Sequence, residues 1–284
     1  AGSLIHLLIL REQDFDKEYI ISPSKLPSDS NKLVIDRVFN HYKEVSADGD
    51  ERKELVEFSN AILDVLVDIN LHQSLKTDQQ RIDKIINNDS ISYWSYLINS
   101  GSKTVIDNQT YDYCSKAANM IKNDPEMSKQ LGINVTEFDN CQVYNEIELQ
   151  KDLENHPYGI KGILDNLVID HDNKKIIIND LKTTSKDLKD FPESIEFYNY
   201  WLQAAIYCTL IGIKFINLIE NGYELKFNFV VIDKNYQVYP FPVRETTLNS
   251  WFDKLNEVLN KAEWHYINKN YSLPYEFATG SVVL

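Results

Sequence analysis

The stretch KGILDNLVIDHDNKKIIINDLKT, residues 161–183, predicts two neighbouring strands joined by a short turn. Two aliphatic runs flank the polar pair Asp172-Asn173, which is typical of a two-residue hairpin turn. A turn centred on this pair places Asp165 directly opposite Asp180 across the two strands. The hairpin therefore indicates a sheet that brings two carboxylates face to face.

The side chains around these carboxylates indicate a metal-assisted site. Strand alternation puts Asp165, Asp180 and Lys182 on one face, where the other side chains are aliphatic. Opposed carboxylates about 5 Å apart repel each other, so a cation is expected between them. Hard oxygen donors suit Mg²⁺, with Mn²⁺ as a substitute, and Lys182 is placed to orient water or neutralise a phosphate. The alternative is a solvated hairpin with ordinary surface charges.

The composition of the chain limits the classes of protein it can belong to. The 284 residues are 43% hydrophobic and 25% charged, which excludes a largely disordered or fibrous chain. The net charge of −14 has the wrong sign for a general nucleic-acid coat, so a polyanion must meet a local basic patch or metal-bound carboxylates. The longest apolar run, Leu4–Leu10, is too short to span a membrane, and no membrane partner is expected.

The three cysteines, Cys114, Cys141 and Cys208, lack the paired spacing of a zinc or iron–sulfur site. Their odd number also argues against a disulfide framework. We therefore expect a reduced, intracellular setting.

Periodicity and breaker residues predict the order of elements around the hairpin. A buried helix over 3–10 and a strand-like end at 20–21 come first, and a helical region over about 32–123 follows, ended by Pro125 and Gly132. The remaining elements are expected as strands over 142–150, 158–170, 175–184, 224–233 and 237–243 and as helices over 194–213 and 246–270.

The acidic hairpin resembles a known nuclease signature. Asp165 followed by Asp180-Leu181-Lys182 is similar to the D…(D/E)xK pattern of the PD-(D/E)xK nuclease superfamily. Gln203 and Tyr207, four apart on one helix face, resemble the QxxxY motif of its exonuclease branch. That branch includes RecB-type nuclease domains, lambda-type phage exonucleases and exonuclease VIII (RecE), the last being the nearest resemblance. A core tyrosine beside a tolerated glutamine is the alternative reading.

Two further segments resemble the same branch. The stretch GSLIHLLIL, residues 2–10, is similar to the Gly-x-x-x-His helix that adds an imidazole to the metal site, which implies a role for His6. The strand around Glu146 resembles the one that carries a metal-proximal acid, with Glu148 as the fallback. A core histidine and an exposed pair of acids are the alternatives. Gly162-Ile-Leu replaces the usual residues before the first Asp, and the cysteine quartet of some relatives is absent, so no iron–sulfur cluster is implied.

The resemblance implies a fold and a site. The fold is α/β (α+β), a PD-(D/E)xK restriction-endonuclease-like core with a central mixed sheet flanked by helices. It forms a single nuclease domain over 1–284, with the helical region about 32–123 inserted. The implied Mg²⁺ ligands are His6, Asp165, Asp180, Glu146 and the carbonyl oxygen of Leu181. The implied catalytic residues are Asp165, Asp180, Lys182, Gln203, Tyr207 and Glu146.

The resemblance also implies an activity and partners. The implied activity is that of a metal-dependent exonuclease that hydrolyses linear double-stranded DNA in the 5′–3′ direction, in phage-type recombination or DNA processing. The implied setting is the cytoplasm of a bacterial or phage-infected host cell. The resemblance further implies a ring-shaped homo-oligomer and a single-strand annealing protein as partner. The alternatives are a structure-specific or restriction-type endonuclease, a non-catalytic DNA-binding or assembly subunit with the same fold, and an RNA-processing enzyme.

Overall fold

A computed structural model describes residues 1–45, 53–133, 135–136, 139–154 and 156–282. The chain divides into two compact units. The sheet unit comprises residues 1–12 and 114–284, and the helical unit comprises residues 13–113. The expectation of a single nuclease domain over 1–284 with an insertion stays a prediction.

The helices and strands are numbered along the chain. The helices are α1 (Gly2–Leu10), α2 (Phe15–Glu18), α3 (Asp29–Val45), α4 (Ser59–Asp68), α5 (Asp78–Ile85), α6 (Asn88–Ser100), α7 (Asn108–Asn123), α8 (Pro125–Leu131), α9 (Phe191–Phe197), α10 (Tyr200–Lys214), α11 (Ile216–Glu220), α12 (Glu245–Asn268) and α13 (Tyr275–Ala278). The strands are β1 (Tyr19–Ile21), β2 (Thr104–Ile106), β3 (Cys141–Asp152), β4 (Gly159–Asp170), β5 (Lys175–Thr184), β6 (Glu224–Asp233) and β7 (Val238–Pro242).

The sheet unit is built on a mixed five-stranded sheet in the order β3-β4-β5-β6-β7. Neighbouring strands are antiparallel except for β5 and β6, which are parallel. A parallel pair needs a crossover connection, and α9, α10 and α11 provide it. The expected mixed sheet flanked by helices is confirmed.

The β4–β5 hairpin has the predicted register. The pairs run from Asp170–Lys175 to Asn166–Asn179, so Asp165 and Asp180 occupy the next position, where the two strands separate. The predicted two-residue turn is wrong, since residues 171–174 form a four-residue loop with the same centre. Two carboxyl-bearing positions therefore lie side by side at an opening of the sheet.

Helices α10 and α12 cover the sheet face that carries the alternate apolar positions. Because side chains alternate along a strand, this face collects about every second residue of β4, β5 and β6, and alternate residues such as Val168 and Val230 are buried on the opposite face. The buried cluster includes Leu164, Leu167, Ile169, Ile176, Ile178, Phe227, Phe229 and Val231 from the strands, Ala204, Ala205, Cys208 and Ile211 from α10, and Leu248, Trp251 and Leu255 from α12.

Two expected boundaries differ from the structure. The helix predicted over 194–213 is interrupted, because α9 ends at Phe197 and Asn199 adopts a left-handed conformation with φ of 55°. Pro125 begins α8 instead of only ending a helical region, and Asp124 caps that helix through the amides of Glu126 and Met127. Proline is well tolerated at the first helical position, since its missing N–H has no intrahelical partner there.

The helical unit has a hydrophobic core of its own. Helices α3 to α6 enclose Val34, Ile35, Val38, Leu55, Ile62, Leu66, Ile85, Tyr93 and Trp94. The predicted strand end at 20–21 belongs to β1, which pairs in parallel with β2, a short strand inside the region expected to be helical. None of the helices that the structure describes has both the length and the apolar character needed to cross a bilayer.

Candidate active site

His6 and Asp165 meet at one side of the opening in the hairpin. His6 lies on α1, and its Nδ1 is 3.6 Å from Oδ1 of Asp165. The other carboxylate oxygen accepts a 2.7 Å hydrogen bond from the backbone N–H of Leu181. Burial alone would lower the pKa of His6, but its interaction with Asp165 and the charge of Asp180 outweigh burial and raise that pKa. The imidazole therefore faces a strongly negative environment.

Asp180 is fully buried and is paired with Lys182. The Nζ atom of Lys182 lies 2.5 Å from Oδ2 of Asp180. Burial raises the pKa of Asp180 to about 6, against the opposing effect of the Lys182 ammonium, and the nearby charge of Asp165 adds to the increase. A charged pair withdrawn from water in this way is expensive to desolvate, so its presence points to a functional requirement.

Lys182 is also connected to helix α10 through a chain of hydrogen bonds. Its Nζ donates to Oε1 of Gln203 at 3.0 Å, and Nε2 of Gln203 donates to the hydroxyl of Tyr207 at 2.7 Å. That hydroxyl donates to the carbonyl oxygen of Ile163 on β4 at 2.6 Å. Burial raises the pKa of Tyr207 to about 12, so the phenol stays neutral and remains a donor. The Lys182 ammonium is therefore held by two contacts, one with Asp180 and one with this chain of hydrogen bonds from α10.

A glycine on β4 makes the approach of Tyr207 possible. A Cβ atom added at Gly162 would lie 2.6 Å from Cε1 and 3.0 Å from Cδ1 of the Tyr207 ring. Real Cβ atoms do not approach other atoms so closely, so a side chain here would displace the ring. Gly162, which stands among the residues that replace the usual sequence before the first acid, therefore has a steric role.

Glu146 has a different partner from the other predicted ligands. It lies on β3 between the residues that pair with Asn166 and Leu164, so it occupies the position opposite Asp165. Its backbone has a φ of 49°, and its carboxylate lies 2.8 Å from Nε of Arg11. The structure thus places Glu146 beside the site in register while its side chain binds Arg11, a partner that the sequence did not suggest. The fallback acid, Glu148, is two positions further along β3.

A row of asparagines on the opposite face of the sheet was missed by the sequence analysis. The amide of Asn166 donates to Asn145 at 2.8 Å, that of Asn179 to Asn166 at 2.7 Å, and that of Asn228 to Asn179 at 3.1 Å. The row thus crosses four strands, and its two central members immediately adjoin Asp165 and Asp180. The predicted pairing of Asp165 with Asp180 also pairs Asn166 with Asn179, so the signal was present in the register.

The carboxylate, imidazole and carbonyl groups at this site are of the chemical types that bind divalent cations. Oδ1 of Asp180 is buried and has no hydrogen-bond donor among the described residues, which is unfavourable for a carboxylate oxygen unless a cation or water satisfies it. However, no three His, Cys, Asp or Glu side chains in the described parts of the chain gather into a ready metal cage. The predicted metal ligands His6, Asp165, Asp180, Glu146 and the Leu181 carbonyl oxygen therefore stay predictions.

Comparisons with known proteins give distant likenesses in structure alone. No protein-family model and no curated protein sequence matches the chain. A crystal structure of a candidate exonuclease from Eubacterium rectale is 13% identical, with a TM-score of 0.37, over 83% of this chain and 84% of that chain. The structure of the protein SSO0001 is also 13% identical, with a TM-score of 0.27, over 81% of this chain and 86% of that chain. These values assign the chain to no family.

Proposed function

We propose that the protein is a metal-dependent deoxyribonuclease that hydrolyses linear double-stranded DNA from its ends. The observation that carries the proposal is the buried pair of Asp180 and Lys182 beside Asp165, with the ammonium also bound to Gln203. The motif resemblance adds the 5′–3′ direction, Mg²⁺ as the metal and Mn²⁺ as its substitute. A ring-shaped oligomer, an annealing-protein partner and a place in phage recombination rest on that resemblance alone.

The residues of the site have distinct proposed roles. A divalent cation held by Asp165, Asp180, His6 and the Leu181 carbonyl oxygen would act as a Lewis acid on the phosphate and lower the pKa of a bound water. The Lys182 ammonium donates to a phosphate oxygen and stabilises the negative charge that develops there. Gln203 holds that ammonium in place, and Tyr207 holds Gln203, so both are positioning residues in this geometry.

The oriented hydrogen bonds explain why such a lysine would be effective. A donor that is already fixed does not need to reorganise when charge appears on the substrate, and this preorganisation is a large part of enzymatic rate enhancement. The neutral Tyr207 phenol keeps the amide of Gln203 in one orientation, with its oxygen toward Lys182. The carboxylate of Asp180 balances the ammonium until the substrate phosphate arrives.

A direct test uses linear duplex DNA labelled at the 5′ or the 3′ end and a covalently closed circle, each with Mg²⁺ or Mn²⁺. We expect the linear DNA to be degraded, the 5′ label to be released first as a small product, and the circle to persist. The variant Asp180→Asn, purified in parallel, should be inactive and so controls for contaminating nucleases. Absence of cleavage with either metal would refute the proposal, and cutting of the closed circle would favour an endonuclease.

A further inference from the structure

A continuous strip of aromatic rings leads away from Lys182 to the protein surface. The Nζ atom of Lys182 lies 4.7 Å from the centre of the Tyr200 ring. Tyr200 stacks on Tyr198 with centroids 5.5 Å apart, and Tyr198 meets Phe197 edge to face at 4.8 Å. We call these three residues the aromatic strip. One end of the strip is thus in direct contact with the candidate active site.

The backbone conformation keeps the two outer rings of the aromatic strip, Phe197 and Tyr198, exposed to solvent. Phe197 is 76% exposed and Tyr198 is 56% exposed. Both lie at the break between α9 and α10, where Asn199 takes the left-handed conformation that asparagine adopts at little cost. A continuous helix would change the direction of these side chains. Neighbouring exposed aromatic rings are unfavourable in a free protein and often mark a binding surface.

A cleft of about 140 Å³ runs beside the aromatic strip. One wall follows directly from Lys182 along the end of β5, and it offers hydroxyl groups and an ammonium suited to phosphate oxygens. The other wall offers ring faces. The first wall includes Thr184, Ser185 and Lys186, and the second includes Ser194, Tyr198 and Tyr200.

The charges around the aromatic strip favour bases over phosphates as its occupant. Helix α9 carries Glu193 and Glu196, of which Glu196 is paired with Lys254 at 3.2 Å. Phosphates are repelled by such a helix, whereas an uncharged base can stack on a ring without any cation. Stacking is therefore a mode of nucleic-acid binding that remains open to a chain with a net charge of −14.

We propose that the aromatic strip binds unpaired nucleobases of the strand whose phosphate lies at Lys182. This inference rests on the proposed nuclease function, and it specifies the substrate as a DNA end with a single-stranded or frayed extension. The bases stack on Phe197 and Tyr198 while the phosphates follow the wall formed by Thr184, Ser185 and Lys186. The bases of the bound strand thus contact a neutral aromatic surface, and its phosphates contact a polar one.

The test measures binding without cleavage, in EDTA, with DNA hairpins that carry a five-nucleotide extension containing 2-aminopurine. We expect the wild-type protein to bind extended hairpins more tightly than a blunt hairpin and to quench the 2-aminopurine fluorescence by stacking. The double variant F197A/Y198A should bind extended hairpins roughly tenfold or more weakly and lose the quenching, given the usual contribution of one stacked base. Its affinity for the blunt hairpin should not change.

Two further variants make the result specific. Phe277→Ala removes an equally exposed ring, 61% accessible, from α13 and should bind like the wild type. F197W/Y198W keeps ring faces and should retain binding and quenching, while circular dichroism melts confirm that every variant is folded. Unchanged binding by F197A/Y198A would overturn the inference, as would an altered oligomeric state with unchanged DNA affinity. If binding behaves as expected but the metal assays show no cleavage, the nuclease proposal fails and the base-binding surface stands.

Discussion

Lys182 is the residue through which the elements of the candidate site act together. Its ammonium joins Asp180 on β5 to Gln203 on α10. We predict that Lys182→Met, which keeps an unbranched side chain one atom shorter and removes the charge, lowers the nuclease rate by about a hundredfold or more, as expected for the loss of a preorganised charge. Initial rates on labelled linear duplex with saturating Mg²⁺ measure this effect.

The matched control for this variant is Lys189→Met, because Lys189 is exposed and lies a few residues further along the chain. It should retain the rate of the wild type. If Lys182→Met also stayed within about threefold of the wild-type rate, a difference well under the effect of one catalytic donor, the role assigned to Lys182 would be wrong.

At the residue scale, the sequence predicted the positions that follow from strand alternation and missed those that depend on tertiary contacts. The pairing of Asp165 with Asp180 was predictable because one turn and a two-residue period determine it. The partner of Glu146 was not, since Arg11 is distant in sequence and the left-handed backbone at Glu146 leaves no mark in composition. Tyr207 was singled out, but its bond to the Ile163 carbonyl depends on the room left by Gly162.

At the element scale, the close fit of α10 against β4 yields a prediction about two glycines. Gly162→Ala forces a methyl group into the Tyr207 ring, so we expect a loss of about 1–3 kcal/mol in the free energy of unfolding, typical of overpacking. Gly212→Ala lies on α10 with no atom within 4 Å of the added methyl group, and it should stabilise by about 0.5 kcal/mol through helix propensity. Urea denaturation measures both changes.

The opposite signs of the two glycine variants make the test discriminating, because the same chemical change is made at a packed position on β4 and at an open position on α10. A neutral Gly162→Ala would show that the helix can move away from the strand at no cost. Nuclease activity should fall with Gly162→Ala, since a displaced Tyr207 no longer holds Gln203.

The asparagine row on the opposite face of the sheet is expected to hold the register of the strands that carry the acids. Asn179 donates to the carbonyl oxygen of Gln130 and to Asn166, and it accepts from Gln130 and Asn228. Asn179→Ala leaves buried polar groups without partners, so we predict a loss on the order of 3 kcal/mol in the free energy of unfolding. Thermal and urea unfolding measure the loss.

Asn268→Ala is the control for the asparagine row, since Asn268 is exposed and its side chain donates to the carbonyl oxygen of Trp264, one turn earlier in α12. It should change stability by less than about 0.5 kcal/mol, as is usual for surface positions. A comparable small effect at Asn179 would mean that the row is dispensable for folding.

A comparison of the helices and strands shows which of them can be predicted from sequence patterns alone. Strands β3 to β7 and helix α12 follow periodicity closely, because each buries one continuous face. The division of residues 194–213 into two helices could not be predicted from periodicity, because the apolar spacing continues through the break at Asn199. Strand β2 was hidden because three residues are too few to establish a period.

At the scale of the whole molecule, some of the acidic side chains have a local structural function. Three aspartates have pKa values below the usual range because nearby groups donate hydrogen bonds to them. For Asp107 and Asp139 the first cause is a backbone hydrogen bond, from Thr110 and from Thr136. For Asp170, burial would raise the pKa, but hydrogen bonds from Asn173 in the hairpin loop lower it overall. Part of the net charge of −14 thus comes from carboxylates that stabilise local structure.

Asp170 allows the structural function of these acids to be tested by pH. Its depressed pKa in the folded state means that the ionised carboxylate stabilises the fold above the unfolded value near about 3.9, and that this stabilisation is lost as the pH falls through the folded value. Asp170→Asn should therefore be less stable than the wild type at pH 7, and the difference should shrink as the pH falls toward 3. Asp253→Asn, an exposed position on α12, should show no such convergence. A constant gap for Asp170→Asn in urea unfolding across this range would mean that Asn173 does not bind the ionised carboxylate, and that the loop is held by its backbone alone.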